Sequence, residues 1–105
     1  MTEHIVKSWV GLFGPIYSGR KTHDLRILDR DYKIGDTLLL QEYDWMDKKY
    51  TQRECRVEIT YITSQQHTQC AFSPFTLHPK FGILSIRKTN EQPKNRRMPE
   101  EVVGG

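Results

Sequence analysis

Lys21, Asp24 and Arg26 lie within six residues of one another, inside a stretch (residues 18–36) in which nine of nineteen residues are charged, five positive and four negative. Two apart on an extended strand, Asp24 and Arg26 share a face at a separation of roughly 6–7 Å. Lys21 comes just before, off a turn at Gly19. A carboxylate between two cations stays ionised, because neighbouring opposite charge lowers its pKa. It can then accept hydrogen bonds, for example from a nucleobase amino group, while Lys21 or Arg26 meets a phosphate or a carbonyl. The plain alternative is a surface ion-pair ladder of small energetic value. Downstream, Asp29, Arg30 and Asp31 alternate in sign ahead of Tyr32 and Ile34. They read as a loop held by Asp side chains bonding nearby backbone N–H groups, with Arg30 able to reach into a cleft. The whole stretch nets only +1, so counterion release from a broad positive surface is a poor account of it.

Other chemistry is weaker. His67, Cys70 and His78 are spaced by three and eight, and lack the paired spacings of a zinc site. No metal and no cofactor is implied. Cys70 has His67 nearby in sequence, yet nothing fixes a nucleophile–base geometry. Cys55 falls on a core-facing strand position and reads as a small hydrophobe. The basic run at residues 94–97 is nearly cancelled, since residues 88–105 carry four positive and three negative charges. It supports at most a weak, non-specific phosphate contact.

Positioning such groups requires a scaffold, and the periodicities supply one. Trp9, Phe13 and Ile16 are spaced to share a helical face, so a short or distorted helix is expected near residues 10–18. Pro15 is tolerated there only in the first turn, and Gly19 is the C-terminal stop. The period then changes to two. Residues 23–28 form a strand with His23, Leu25 and Ile27 on one face and Asp24, Arg26 and Leu28 on the other. A polar connection follows to Gly35. Residues 37–44 read as a strand buried on both faces at its start, and 45–52 as a polar hairpin loop. Residues 53–62 are a strand with Cys55, Val57, Ile59 and Tyr61 facing the core. Residues 63–80 are a long loop broken by Pro74 and Pro79, and 81–87 the last strand. The expected fold is α+β, mostly β: a small antiparallel β-barrel with one or two short helices, a domain at 4–88 and a flexible tail at 89–105.

At 105 residues the chain allows one domain, and 36% hydrophobic content allows a packed core. No apolar run approaches the roughly 20 residues of a membrane span, and no signal peptide is evident. Two cysteines are too few for a disulfide scaffold, so a reducing, cytoplasmic setting is expected. A net charge of +3 permits a polyanionic partner without demonstrating one.

Read together, several segments resemble the ASCH superfamily, in particular its small phage and bacterial members. They are Gly19-x-Lys21-x-x-Asp24-x-Arg26, Asp29-Arg30-Asp31-Tyr32-x-Ile34-Gly35-Asp36-x-Leu38, Glu42-Tyr43-Asp44, Tyr50-Thr51, and Phe81-Gly82-Ile83-Leu84-Ser85-Ile86. The resemblance implies a PUA-like barrel with a cleft between barrel and helix, where the Lys, acidic and Arg positions gather. It also implies an RNA or modified-nucleoside ligand. Carried over onto this chain, the site is Lys21, Asp24 and Arg26 with Gly19 shaping the turn, and Thr22, Arg30 and Tyr32 as additions. The chain departs from the pattern twice: Asp24 stands where Glu is usual, and Gln52 where the hairpin usually has Gly. One enzymatic branch hydrolyses N4-acetylcytidine with a Lys, a Thr nucleophile at the position of Asp24, and a later Glu. Here that position is a carboxylate, and residues 59–90 contain no Asp or Glu.

The expected function is therefore an RNA- or nucleotide-binding module, with Trp9, Tyr17 or Tyr32 offering a stacking face if exposed. The alternatives are a nucleoside-directed hydrolase with Lys21 and Asp24 as acid–base pair, and a phage accessory protein that binds a host partner or sequesters a nucleotide signal.

Overall fold

The computed structural model describes residues 1–65 and 79–93. Its elements run β1 (Glu3–Trp9), α1 (Val10–Tyr17), β2 (His23–Ile27), β3 (Thr37–Asp44), β4 (Lys49–Ser64) and β5 (Phe81–Lys88). The architecture is mostly β with one short helix, as expected. The five strands form one curled half-barrel in the order β1-β3-β4-β5-β2. All neighbours are antiparallel except β1 and β3, which run parallel. The edge strands β1 and β2 therefore leave an open seam.

Sequence reading placed no strand at β1. Its inward residues are His4, Val6 and Ser8, while Ile5 faces out. Two of the three buried positions are polar, so the usual apolar alternation is missing. What makes the strand work is Asp36. It accepts hydrogen bonds from the Thr2 N–H (3.0 Å) and the Lys33 N–H (3.1 Å), and its other contact is His4 Nε2 at 2.8 Å. Thr37 N–H bonds the Thr2 carbonyl, and Gly35 N–H and Ile59 N–H tie the same loop to β4.

α1 matches its expected span. Phe13 and Ile16 are its buried residues, each worth about 1.5–3 kcal/mol on burial. Pro15, however, sits in the second turn. Its ring faces solvent, and its carbonyl accepts from Ser18 Oγ, Arg20 N–H and Lys21 N–H, so it works as a terminator. Gly19 follows at φ +85°, the left-handed conformation that a helix stop favours.

The core joins Val6, Phe13, Ile16, Leu38, Leu40, Cys55, Val57, Ile59, Ile62, Leu84 and Ile86. Tyr61 is a correction: it is 56% exposed, and Ile62 and Ser64 are buried instead. Ile59 pairs with Ile86 but Tyr61 with Ser85, so a bulge inserts one residue at Thr60 and reverses the facing of everything after it. The expected 45–52 loop is only a turn at 45–48, because pairing continues to Asp44–Lys49, and a second bulge lies behind it. Asp44 Oδ1 accepts from Met46 and Asp47 N–H, and β4 resumes at Lys49. Between the pairs Gln41–Glu54 and Tyr43–Tyr50, three residues of β4 face the single residue Glu42.

The expected tail begins ordered. The Gln92 side-chain amide pairs with both backbone groups of Arg56, accepting from its N–H (2.8 Å) and donating to its carbonyl (2.6 Å). Expectations for His67, Cys70, Pro74, His78 and the basic run at 94–97 fall outside the described residues.

Candidate functional site

Strand β2 alternates as expected, with Asp24 buried, Arg26 largely so, and His23, Leu25 and Ile27 outward. Facing into the half-barrel, Arg26 Nε donates to Asp24 Oδ2 at 2.5 Å, with side chains 16% and 4% exposed. Opposite Arg26 on β5 is Gly82, which leaves room for the Leu28 side chain: a Cβ there would come within 2.8 Å of it. Arg26 Nη2 also reaches across the seam to the Lys7 carbonyl at 3.4 Å. Burial alone would lower the Arg26 pKa, but the charge and hydrogen bond of Asp24 outweigh it and the net shift is upward.

This pair is in the lining of a cavity of about 300 Å³ at the seam, together with Lys7, Ser8, Trp9, Leu12, Leu25, Ile27, Asp29 and Phe81. Trp9, Leu12, Leu25 and Ile27 are exposed apolar side chains of this lining, and half of it is polar: Lys7, Ser8, Asp24, Arg26 and Asp29. The volume is at the small end of the range for small-ligand sites. Two cations, Lys7 and Arg26, meet two carboxylates, Asp24 and Asp29, so the lining carries no net charge. Ser8 is 3% exposed and its hydroxyl has no hydrogen-bond partner among the described residues. Beside the seam, Lys7 Nζ lies 4.0 Å from the Tyr43 ring centre, Trp9 meets Tyr43 edge-on at 5.7 Å, and Tyr43 meets Tyr50 at 5.0 Å.

The remaining expected site residues divide. Gly19, Lys21 and Thr22 belong to a second cavity of about 350 Å³, with Ile16, Val57, Ile86, Arg87 and Lys88. Lys21 is thus not in the lining shared by Asp24 and Arg26. Arg30 is solvent-exposed in the loop after β2. Tyr32 is 3% exposed, packed at 4.7 Å against the His4 ring, and cannot stack on a ligand. Burial raises its pKa, partly offset by the charge of Arg26. Of the three suggested stacking residues, Trp9 is the exposed one at the seam. Tyr17 lies half-buried on Phe13, under Arg53 and Lys88.

Sequence reading missed Lys7 and Ser8 with the strand that carries them. It also gave no role to Glu42, although Glu42 and Thr51 were in the quoted pattern. Glu42 is buried beside Ser8 in the β1–β3 register. It accepts from Thr51 Oγ1 at 2.5 Å, with Arg53 Nη1 at 3.8 Å. The bulge turns Thr51 and Arg53 onto this one carboxylate, and Arg53 in turn lies over the Phe13 and Tyr17 rings. Among the described residues, no group of three or more His, Cys, Asp or Glu is placed to hold a metal, and no helix is long and apolar enough to cross a membrane.

Fold and site define a small β-rich half-barrel with a ligand-sized cavity at its open seam. Residues 3–86 match the family described as a domain of unknown function, DUF3850, and the chain belongs to that family. It is also 37% identical over 60 residues to an uncharacterised 12.9 kDa protein in the GpA 3′ region of Escherichia phage P2. That match takes in 57% of this chain and spans about half, 53%, of the phage protein.

Proposed function

We propose that this chain is a binding module for single-stranded RNA or a nucleotide, and that the base enters the seam cavity. The observation that carries this is the buried Asp24–Arg26 pair in a cavity of mixed polar and apolar lining, with Trp9 beside it. A base needs a fixed acceptor, a fixed donor and a flat apolar face. Asp24 supplies the first, Arg26 and the unpartnered Ser8 hydroxyl the second, and Trp9 the third. The charge balance of the lining favours an uncharged ring over a phosphate in this cavity. The likeness to the ASCH superfamily points to the same ligand class. The hydrolase alternative draws less support. Asp24 is bonded by Arg26 in the seam cavity, whereas Lys21 lines the second one, so they do not form an acid–base pair across one pocket.

The test is fluorescence anisotropy with a labelled mixed-sequence RNA decamer. Trp9→Ala removes the stacking face, worth about 1–3 kcal/mol per base, so binding should weaken by about fivefold or more. The double variant Asp24→Asn with Arg26→Gln, which avoids an orphaned buried charge, should weaken it as well. Unchanged affinity in both variants, or no binding by the wild type, would sink the reading.

A further inference from the structure

The second cavity differs from the seam cavity in charge. Lys21, Arg87 and Lys88 are in its lining and, among the described residues, no carboxylate is, while Ile16, Val57 and Ile86 supply its apolar residues. Lys21 makes no side-chain hydrogen bond or ion pair among the described residues. Arg87 is paired with Glu58 at 2.8 Å, but both side chains are exposed, 70% and 36%, and a pair of that kind is easily exchanged. Lys88 Nζ donates to the Tyr17 carbonyl at 2.8 Å. It thereby covers part of the negative end of α1, whose Gly14, Pro15 and Ile16 carbonyls are taken by backbone N–H groups. What remains facing the groove is positive.

The two cavities are linked through one strand. Ile86 N–H bonds the Thr22 carbonyl, and the β2–β5 ladder continues from His23–Ser85 to Asp24–Leu84. Thr22 and Asp24 are two residues apart, roughly 7 Å along the strand. A ligand with an uncharged flat part and an anionic part could therefore span both cavities.

We infer that the groove formed by Gly19, Lys21, Thr22, Arg87 and Lys88 is a phosphate subsite, which holds the backbone of the single-stranded RNA whose base occupies the seam. This rests on the RNA reading above, but it assigns Arg87 and Lys88 a role and separates Lys21 from the base-reading pair. Phosphate contacts release counterions, and for single strands each one contributes about −0.7 to the slope of log K against log salt. The seam cavity has no net charge and contributes little to that slope.

The experiment is the same RNA decamer titrated across a salt series against the full chain. Lys21→Gln should make the slope shallower by roughly 0.7, and the triple variant Lys21→Gln, Arg87→Gln, Lys88→Gln by roughly 2. The single variant guards against a folding effect of losing Lys88, because the Lys21 side chain has no partner among the described residues to lose. Asp24→Asn with Arg26→Gln should lower affinity at every salt concentration with the slope unchanged. If that seam variant is neutral while the Lys21 variants flatten the slope, the base-reading site is wrong and the phosphate subsite stands. If the Lys21 and triple variants keep the wild-type slope, the phosphate subsite is overturned.

Discussion

Asp24 puts a charge where little water reaches, and Arg26 is what makes that tolerable. Removing one partner of a buried pair leaves the other uncompensated, which costs about 3 kcal/mol or more. Arg26→Ala should therefore destabilise strongly in urea unfolding, and Asp24→Asn with Arg26→Gln considerably less. Equal losses would mean that leaving Asp24 without its partner carries no extra cost. Asp36 makes a separate prediction. Burial alone would raise its pKa, but His4 and the Thr2 and Lys33 N–H groups outweigh that and hold it below its ordinary value. A carboxylate lowered in the folded state stabilises fully above its unfolded pKa of about 3.9, and that contribution is lost as pH falls through the folded value. In acid titrations of stability, Asp36→Asn should be less stable near neutrality and show a shallower acid limb than wild type. An unchanged acid limb would contradict the staple described for Asp36.

Among the elements, the bulges decide which side chains meet. Gln52, at φ +77°, sits in the bulge that turns Thr51 and Arg53 onto Glu42, at the position where the quoted hairpin pattern has Gly. A left-handed conformation costs a non-glycine residue about 1–2 kcal/mol. Part of that is returned by the greater freedom of Gly in the unfolded chain. Gln52→Gly should thus stabilise by about 0.5–1 kcal/mol in urea unfolding, and destabilisation would mean that the strain is not there. The same bulges mark where sequence reading stopped. The spans of α1, β3 and β5 and the shared face of Asp24 and Arg26 followed from periodicity and from Gly19, although periodicity did not say which face was buried. Tyr61 did not, because an inserted residue reverses alternation without changing composition. β1 did not, because His4 and Ser8 are buried through Asp36 and the seam rather than through hydrophobicity. Lys21 was read with Asp24 and Arg26 since they are close in sequence, but it precedes the strand and lines the other cavity.

At the scale of the molecule, the half-barrel has a firm middle and a lightly held edge. β3 and β4 each have two neighbours, while β1 and β2 have one, and β2 has only five residues. Local opening follows such differences. In native-state hydrogen exchange the amides of β2 should exchange before those of central β4, and the reverse order would contradict an open seam. A lightly held edge next to the cavity also gives a ligand something to order. RNA binding at the seam is tested most directly by an amide NMR titration of the full chain with the single-stranded RNA decamer. Shifts should concentrate at Ser8, Trp9, Asp24 and Arg26 and extend to Lys21 and Lys88. Shifts confined to other surfaces, or none at millimolar RNA, would contradict binding at the seam.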